Sequence, residues 1–99
     1  MAKMQQIQNI YPNEIKEYID NKSVIIIDLR EKREYEQGHV RGSVNIQIND
    51  LEKYVYQYPR DKIMVVYCKT GARSIIAARI LKQYGYQVKN VIGGMKNYL

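Results

Sequence analysis

The chain has one cysteine, one histidine, two prolines and neither phenylalanine nor tryptophan among its 99 residues. A lone cysteine cannot close an internal disulfide, which excludes a disulfide-stapled scaffold. Met1 to Ile10 (MAKMQQIQNI) also lacks the continuous apolar segment of a secretory signal, so a reducing, cytoplasmic compartment is expected. No apolar run approaches the roughly 20 residues that cross a bilayer, and no membrane partner is expected. There is no internal repeat, linker or low-complexity tract to support a disordered or fibrous reading. All ten aromatic residues are tyrosine, which supplies bulk with a polar tip.

What is present suits one globular domain over residues 1–99, long enough to bury roughly two thirds of its extended surface. Hydrophobic residues make up 45% and charged residues 26%, with a formal net charge of +6. That excess can steer anionic substrates, acidic proteins or nucleic acid toward the surface, but by itself selects none of them. A solvated basic surface accounts for it equally well.

Val24 to Leu29 (VIIIDL) is a β-branched run too short for a typical helix and too continuous for a strand with one wet face, so it reads as a buried strand. Ile63 to Tyr67 (IMVVY) repeats the pattern, and Val91-Ile92 before Gly93-Gly94 is a weaker third case. Pro12 to Asp20 spaces Ile15, Tyr18 and Ile19 as one helical face, with Pro12 in the first turn. Ile48 to Tyr56 and Ser74 to Tyr84 also have helical patterns, the latter closed by Gly85. The second of these is apolar around most of its circumference, which predicts deep packing. Buried strands alternating with helices predict an α/β fold: a central, mainly parallel sheet flanked by helices on both faces.

Cys68 falls where the strand Ile63 to Tyr67 stops, at the carboxyl edge where parallel sheets gather ligands. The short loop Lys69-Thr70-Gly71-Ala72 then feeds a helix beginning near Arg73. Gly71 permits dihedrals that a Cβ resists, and such a loop can turn several N–H groups toward a common anion. A free thiol, with a pKa near ~8.5, is only a few per cent ionised at pH 7, so a nucleophilic cysteine needs its thiolate stabilised. Free cysteines are also among the most buried residue types, which makes a core thiol the competing reading. The sequence strand, Cys, Gly loop, Arg, helix favours the nucleophile. Cysteine phosphatases commonly place five residues between Cys and Arg, whereas four separate Cys68 from Arg73, a tighter ring suited to a smaller electrophile such as the outer sulfur of thiosulfate or a persulfide.

Three segments together resemble the rhodanese family of single-domain sulfurtransferases. They are Asp28-Leu29-Arg30 with Glu34-Tyr35, then Gly38 to Ile46 (GHVRGSVNI), then Cys68 to Ser74 (CKTGARS). The resemblance implies an α/β fold and a thiosulfate sulfurtransferase in which Cys68 alternates between thiolate and persulfide. Lys69, Thr70, Gly71, Ala72 and Arg73 would form the substrate-binding loop. A small anionic sulfur donor and a cyanide or thiol acceptor are implied, the latter including a protein thiol, and no metal or organic cofactor is implied. At the C-terminus Gly93-Gly94-Met95-Lys96-Asn97-Tyr98 is similar to the family's closing turn but has Tyr98 where Trp is frequent, a change expected to alter packing of the last helix and leave the active loop untouched.

Other residues read as structural. His39 follows Gly38 in a turn, Asp28 and Arg30 end a strand as a paired network, and Arg41 reads as a solvated loop residue. Tyr54, Tyr56 and Tyr58 before Pro59-Arg60 read as packing around a helix end, so nucleic acid is not an expected partner. Two alternatives to the enzyme stay open: a sulfur-carrier or regulatory module acting on a protein partner, and a small cysteine phosphatase.

Overall fold

The computed structural model describes residues 6–99. Residues 1–5, the first half of the Met1 to Ile10 segment, lie outside the described residues. Five strands form one sheet: β1 (Gln8–Ile10), β2 (Val24–Asp28), β3 (Val44–Asn45), β4 (Ile63–Tyr67) and β5 (Gln87–Val91). Their spatial order is β1-β5-β4-β2-β3, and every pairing is parallel. The two apolar runs sit at the centre, with Val24 to Asp28 in register with Ile63 to Tyr67. A central parallel strand is covered on both faces, which is why these runs do not alternate with polar residues.

Side chains of successive strand residues point to opposite faces, and the sheet has a core on each. Ile27, Met64 and Val66 pack with Leu51, Val55, Ala77, Ala78 and Leu81 from helices α2 (Leu51–Val55) and α3 (Ala72–Gln83). Ile26, Val65 and Tyr67 pack on the other face with Ile15, Val40 and Met95. Ile15 belongs to a 3-10 helix over Pro12–Tyr18, so the helix read at that point is present but wound more tightly than an α-helix. A further 3-10 turn, Ile48–Asp50, leads into α2.

The sequence reading also differs from the structure elsewhere, and it does not find strands β1 and β3. Strand β5 begins at Gln87, well before the Val91-Ile92 pair that signalled it. Helix α1 (Lys32–Gln37) contributes no buried residue, so no apolar periodicity announced it. Helix α3 buries a stripe of Ser74, Ala77, Ala78 and Leu81 but leaves Ile76 exposed, so its packing is one-sided rather than circumferential. Gly85, with φ +93°, follows the end of α3, and the N–H of Tyr86 returns to the carbonyl of Leu81 at 3.2 Å, closing the helix. Among the described residues no helix is long and apolar enough to cross a membrane.

Candidate active site

The carboxyl end of β4 delivers Cys68 directly beneath the amino end of α3. Gly71 occupies the cap position of that helix with φ +98° and has no side chain to receive its free N–H groups. The cysteine sulfur takes that role. Its Sγ accepts the N–H of Gly71 at 3.0 Å and of Ser74, in the first turn of α3, at 3.4 Å. Convergent N–H donors and the positive end of the helix dipole make this an anion-receptive corner of the fold. Ala72 and Arg73 occupy the first two helical positions, where an α-helix leaves N–H groups without internal partners.

Cys68 is only 2% exposed, less than expected for a solvent-reachable thiol. It nevertheless lines a cleft of about 580 Å³, together with Lys69, Thr70, Ala72 and Arg73. The structure therefore brings these five residues of the sequence-derived site together around one space, while Gly71 contributes its N–H to the sulfur.

The closing Gly-Gly turn is the outer buttress of this loop. The N–H of Met95 bonds to the carbonyl of Cys68 at 2.8 Å, and that of Lys96 to the carbonyl of Lys69 at 3.1 Å. Gly94 lies so close to the loop backbone that a Cβ would overlap the carbonyl of Lys69 and sit 2.6 Å from the nitrogen of Thr70. No helix follows β5 among the described residues: the chain closes in turns, so the last helix whose packing Tyr98 is expected to alter is absent. Tyr98 itself is largely exposed, and the turn that precedes it touches the active loop directly.

The opposite wall comes from the end of β2 and from α1. Arg30 donates through Nη2 to Asp28 Oδ2 at 2.8 Å and to the carbonyl of Gly38 at 2.6 Å. The Tyr67 hydroxyl donates to the same Asp28 oxygen at 2.6 Å and accepts the N–H of Val40 at 3.1 Å. Asp28 and Tyr67 are fully buried, so removing one partner would leave polar groups unpaired where water cannot replace them. Burial is the largest single effect on the Arg30 guanidinium and pulls it down, but the hydrogen bond to Asp28, the charge of Asp28 and the contributions of Tyr67 together raise it on balance. The Tyr67 phenol is pushed well above its usual range, by burial first and then by its bond to Asp28. Asn45 Nδ2 ties the backbone here by donating to the carbonyls of Asp28 at 3.0 Å and Arg30 at 2.9 Å.

Arg30 is thus both the structural partner read from the sequence and part of the cleft lining. The sequence reading did not find Glu31, Arg33, Glu34 and Gln37, which α1 and its cap bring to the same cleft. Two carboxylates face the loop cations across it: Glu34 lies 3.7 Å from Lys69 and Glu31 lies 4.0 Å from Arg73. Arg30, Arg33, Lys69 and Arg73 against Glu31 and Glu34 leave the lining net positive.

The remaining candidates lie elsewhere. His39 stacks on Tyr35 at 3.7 Å and its Nδ1 donates to the Tyr35 carbonyl at 2.8 Å. Arg41 pairs with Asp20 at 2.6 Å, both well exposed. Tyr58 packs against the core, while Tyr56 meets Tyr84 edge to face with the hydroxyls 3.4 Å apart. None of these lines the cysteine cleft.

The Rhodanese-like domain family matches residues 11–99. The chain is 31% identical to the putative sulfurtransferase YtwF of Bacillus subtilis, over 91% of this chain and 88% of that protein. It is 35% identical to the putative sulfur carrier protein YrkF of the same organism, over 84% of this chain and 46% of that protein. Among curated relatives the chain spans as little as 14% of the partner's length. A solved rhodanese-related protein from Thermoplasma volcanium superposes with a TM-score of 0.80 at 32% identity, covering 92% of this chain and 89% of that one. With the sheet order, the cysteine loop and the sequence match in agreement, the chain belongs to the rhodanese-like domain family, whose relatives include sulfurtransferases.

Proposed function

We propose that the protein moves sulfane sulfur through a persulfide on Cys68, from a donor such as thiosulfate to a thiophilic acceptor, either cyanide or a thiol. In loading, the Cys68 thiolate attacks the outer sulfur of thiosulfate. The donor S–S bond breaks, sulfite leaves with the electron pair, and Cys68 carries a terminal sulfur anion. In unloading, cyanide or an acceptor thiolate takes that terminal sulfur and the Cys68 thiolate returns. Charge balances in each step without an added oxidant or reductant, and no metal or organic cofactor is needed.

The observation that carries this reading is the pair of N–H donors on Cys68 Sγ at the floor of a net positive cleft. Both resting states are anionic, so one set of donors serves both. Lys69, Thr70, Ala72 and Arg73 would hold the leaving sulfite and the incoming anion. With one cysteine in these 99 residues, the acceptor thiol comes from outside them, and a reducing cytoplasm would keep Cys68 free.

Intact-mass measurement after thiosulfate treatment tests the reading. The native chain is expected to gain one sulfur atom, lost again on adding cyanide, while Cys68→Ser gains none. An unmodified native chain, under conditions that load another sulfurtransferase, would refute it. A second reading, a carrier that hands sulfur to a protein partner, is supported by the similarity to a putative sulfur carrier protein. Rapid transfer to a purified protein thiol with slow thiocyanate formation would favour it.

A further inference from the structure

We infer that a hollow on the sheet face opposite α3 is a second binding site, one that takes a medium-chain aliphatic monocarboxylate with Lys16 as the contact for its head group. Its lining shares no residue with the cysteine cleft, so the inference stands apart from the sulfur-transfer reading.

The hollow has a volume of about 330 Å³, at the lower end of the range that encloses small organic ligands. Ile15, Val40 and Met95 lie beneath it, all buried and all part of the core on that face. Two of these are tied in place by their backbones. The N–H of Met95 bonds to the carbonyl of Cys68 at 2.8 Å, and that of Val40 to the Tyr67 hydroxyl at 3.1 Å. The floor is therefore preformed, which spares a ligand the cost of ordering it. Tyr98 and Leu99 stand at the edge, both exposed, so apolar surface faces solvent here that a hydrocarbon chain would cover.

The winding of Pro12–Tyr18 supplies the polar end. In a 3-10 helix residues three apart lie one above another, whereas an α-helix turns them about 60° out of line. The N–H of Ile19 bonds to the carbonyl of Lys16 at 3.4 Å, which carries that pattern one residue further. Asn13, Lys16 and Ile19 thus form one ridge along the hollow, graded from an amide through an ammonium to an alkyl group.

Among the described residues Lys16 is the one charged side chain lining the hollow, and it belongs to no ion pair. An unpaired ammonium beside an otherwise apolar recess matches an amphipathic monoanion. Lysine presents a point charge, which suits a single carboxylate, while a phosphate or sulfate is matched better by the forked donors of an arginine.

Decanoate is the probe, titrated into the whole chain below its self-association range and followed by nuclear magnetic resonance of the Ile15, Val40 and Met95 methyl groups. Saturable shifts are expected at these residues, in the native chain and in Cys68→Ser alike. Affinity should rise roughly four-fold per methylene from hexanoate to octanoate, the gain from burying one CH₂. Lys16→Ala should weaken decanoate binding by about three- to five-fold and Lys16→Glu by more, while Lys16→Arg retains most of it. Decanol, which carries no charge, should bind the native chain and Lys16→Ala equally. Lys16 is exposed, so all three variants should keep the native urea midpoint. Absent shifts, shifts confined to other methyl groups, or a decanoate affinity unchanged in Lys16→Glu overturn the proposal. Equal weakening of decanol does the same. If the same signals move when the chain alone is concentrated, a second copy covers the hollow and the proposal falls.

Discussion

Gly94 has φ +78° and Gly93 has φ +76°, so an alanine at either position meets a similar backbone penalty. They differ in surroundings. A Cβ on Gly93 meets nothing within 4 Å, whereas one on Gly94 overlaps the Lys69 carbonyl. Gly93→Ala is therefore expected to cost about 1–2 kcal/mol of stability with sulfur uptake largely retained. Gly94→Ala should cost about 2–4 kcal/mol and slow uptake by more than roughly ten-fold, because the relaxation that relieves the overlap moves the carbonyls flanking Cys68. Urea unfolding and the initial rate of Cys68 loading separate the two effects. Equal loss of uptake in both variants would show that the turn supports the loop through backbone conformation and not through close packing. The same residue-level reasoning explains Cys68 itself: glycine at the cap of α3 leaves a hydrogen-bond vacancy, and the sulfur fills it.

At the scale of elements, β2 and β4 are joined beyond their ladder by Asp28, Arg30 and Tyr67. Removing the hydroxyl in Tyr67→Phe takes a donor from Asp28 and an acceptor from the Val40 N–H, and should cost about 1–3 kcal/mol at neutral pH. The pH dependence has a definite sign. Tyr67 ionises above its usual range in the folded chain, so the folded state holds a proton that the unfolded state has released. Its contribution is full below the unfolded value of about 10 and declines above it, by about 1.4 kcal/mol per pH unit. Tyr58, also raised by burial, adds a decline of the same sign. Urea midpoints above pH 10 should therefore fall less steeply for Tyr67→Phe than for the native chain. Parallel slopes would mean that the phenol titrates normally. The sequence displayed β2 and β4 because both faces are covered and their residues are nearly all apolar. It concealed β5, where exposed Gln87 and half-buried Lys89 interrupt Val88, Asn90 and Val91. The cysteine loop was legible because strand, glycine and helix adjoin in sequence. The α1 wall was not, since Glu31 and Glu34 meet Arg73 and Lys69 only through folding, and α1 buries nothing to mark it.

Across the whole molecule, a net charge of +6 and a net positive cleft both favour approach of an anionic donor. The carboxylates of α1 oppose this locally. The Lys69–Glu34 and Arg73–Glu31 pairs are at least partly exposed, and such pairs contribute only about 0–1 kcal/mol to stability, so their loss should leave the fold intact. Replacing Glu34 by Gln removes one negative charge from the rim and frees Lys69 for the donor. Glu34→Gln is accordingly expected to raise kcat/KM for thiosulfate by about two- to five-fold at low ionic strength. The gain should shrink as salt is added and vanish toward ~1 M, where the screening length falls to about 3 Å. Arg33→Glu should change the rate in the opposite direction with the same salt dependence. Steady-state rates over a salt series decide the matter. If Glu34→Gln slows loading at every ionic strength, the carboxylate serves chiefly to hold the Lys69 ammonium in place over the cleft, and positioning outweighs field at this rim.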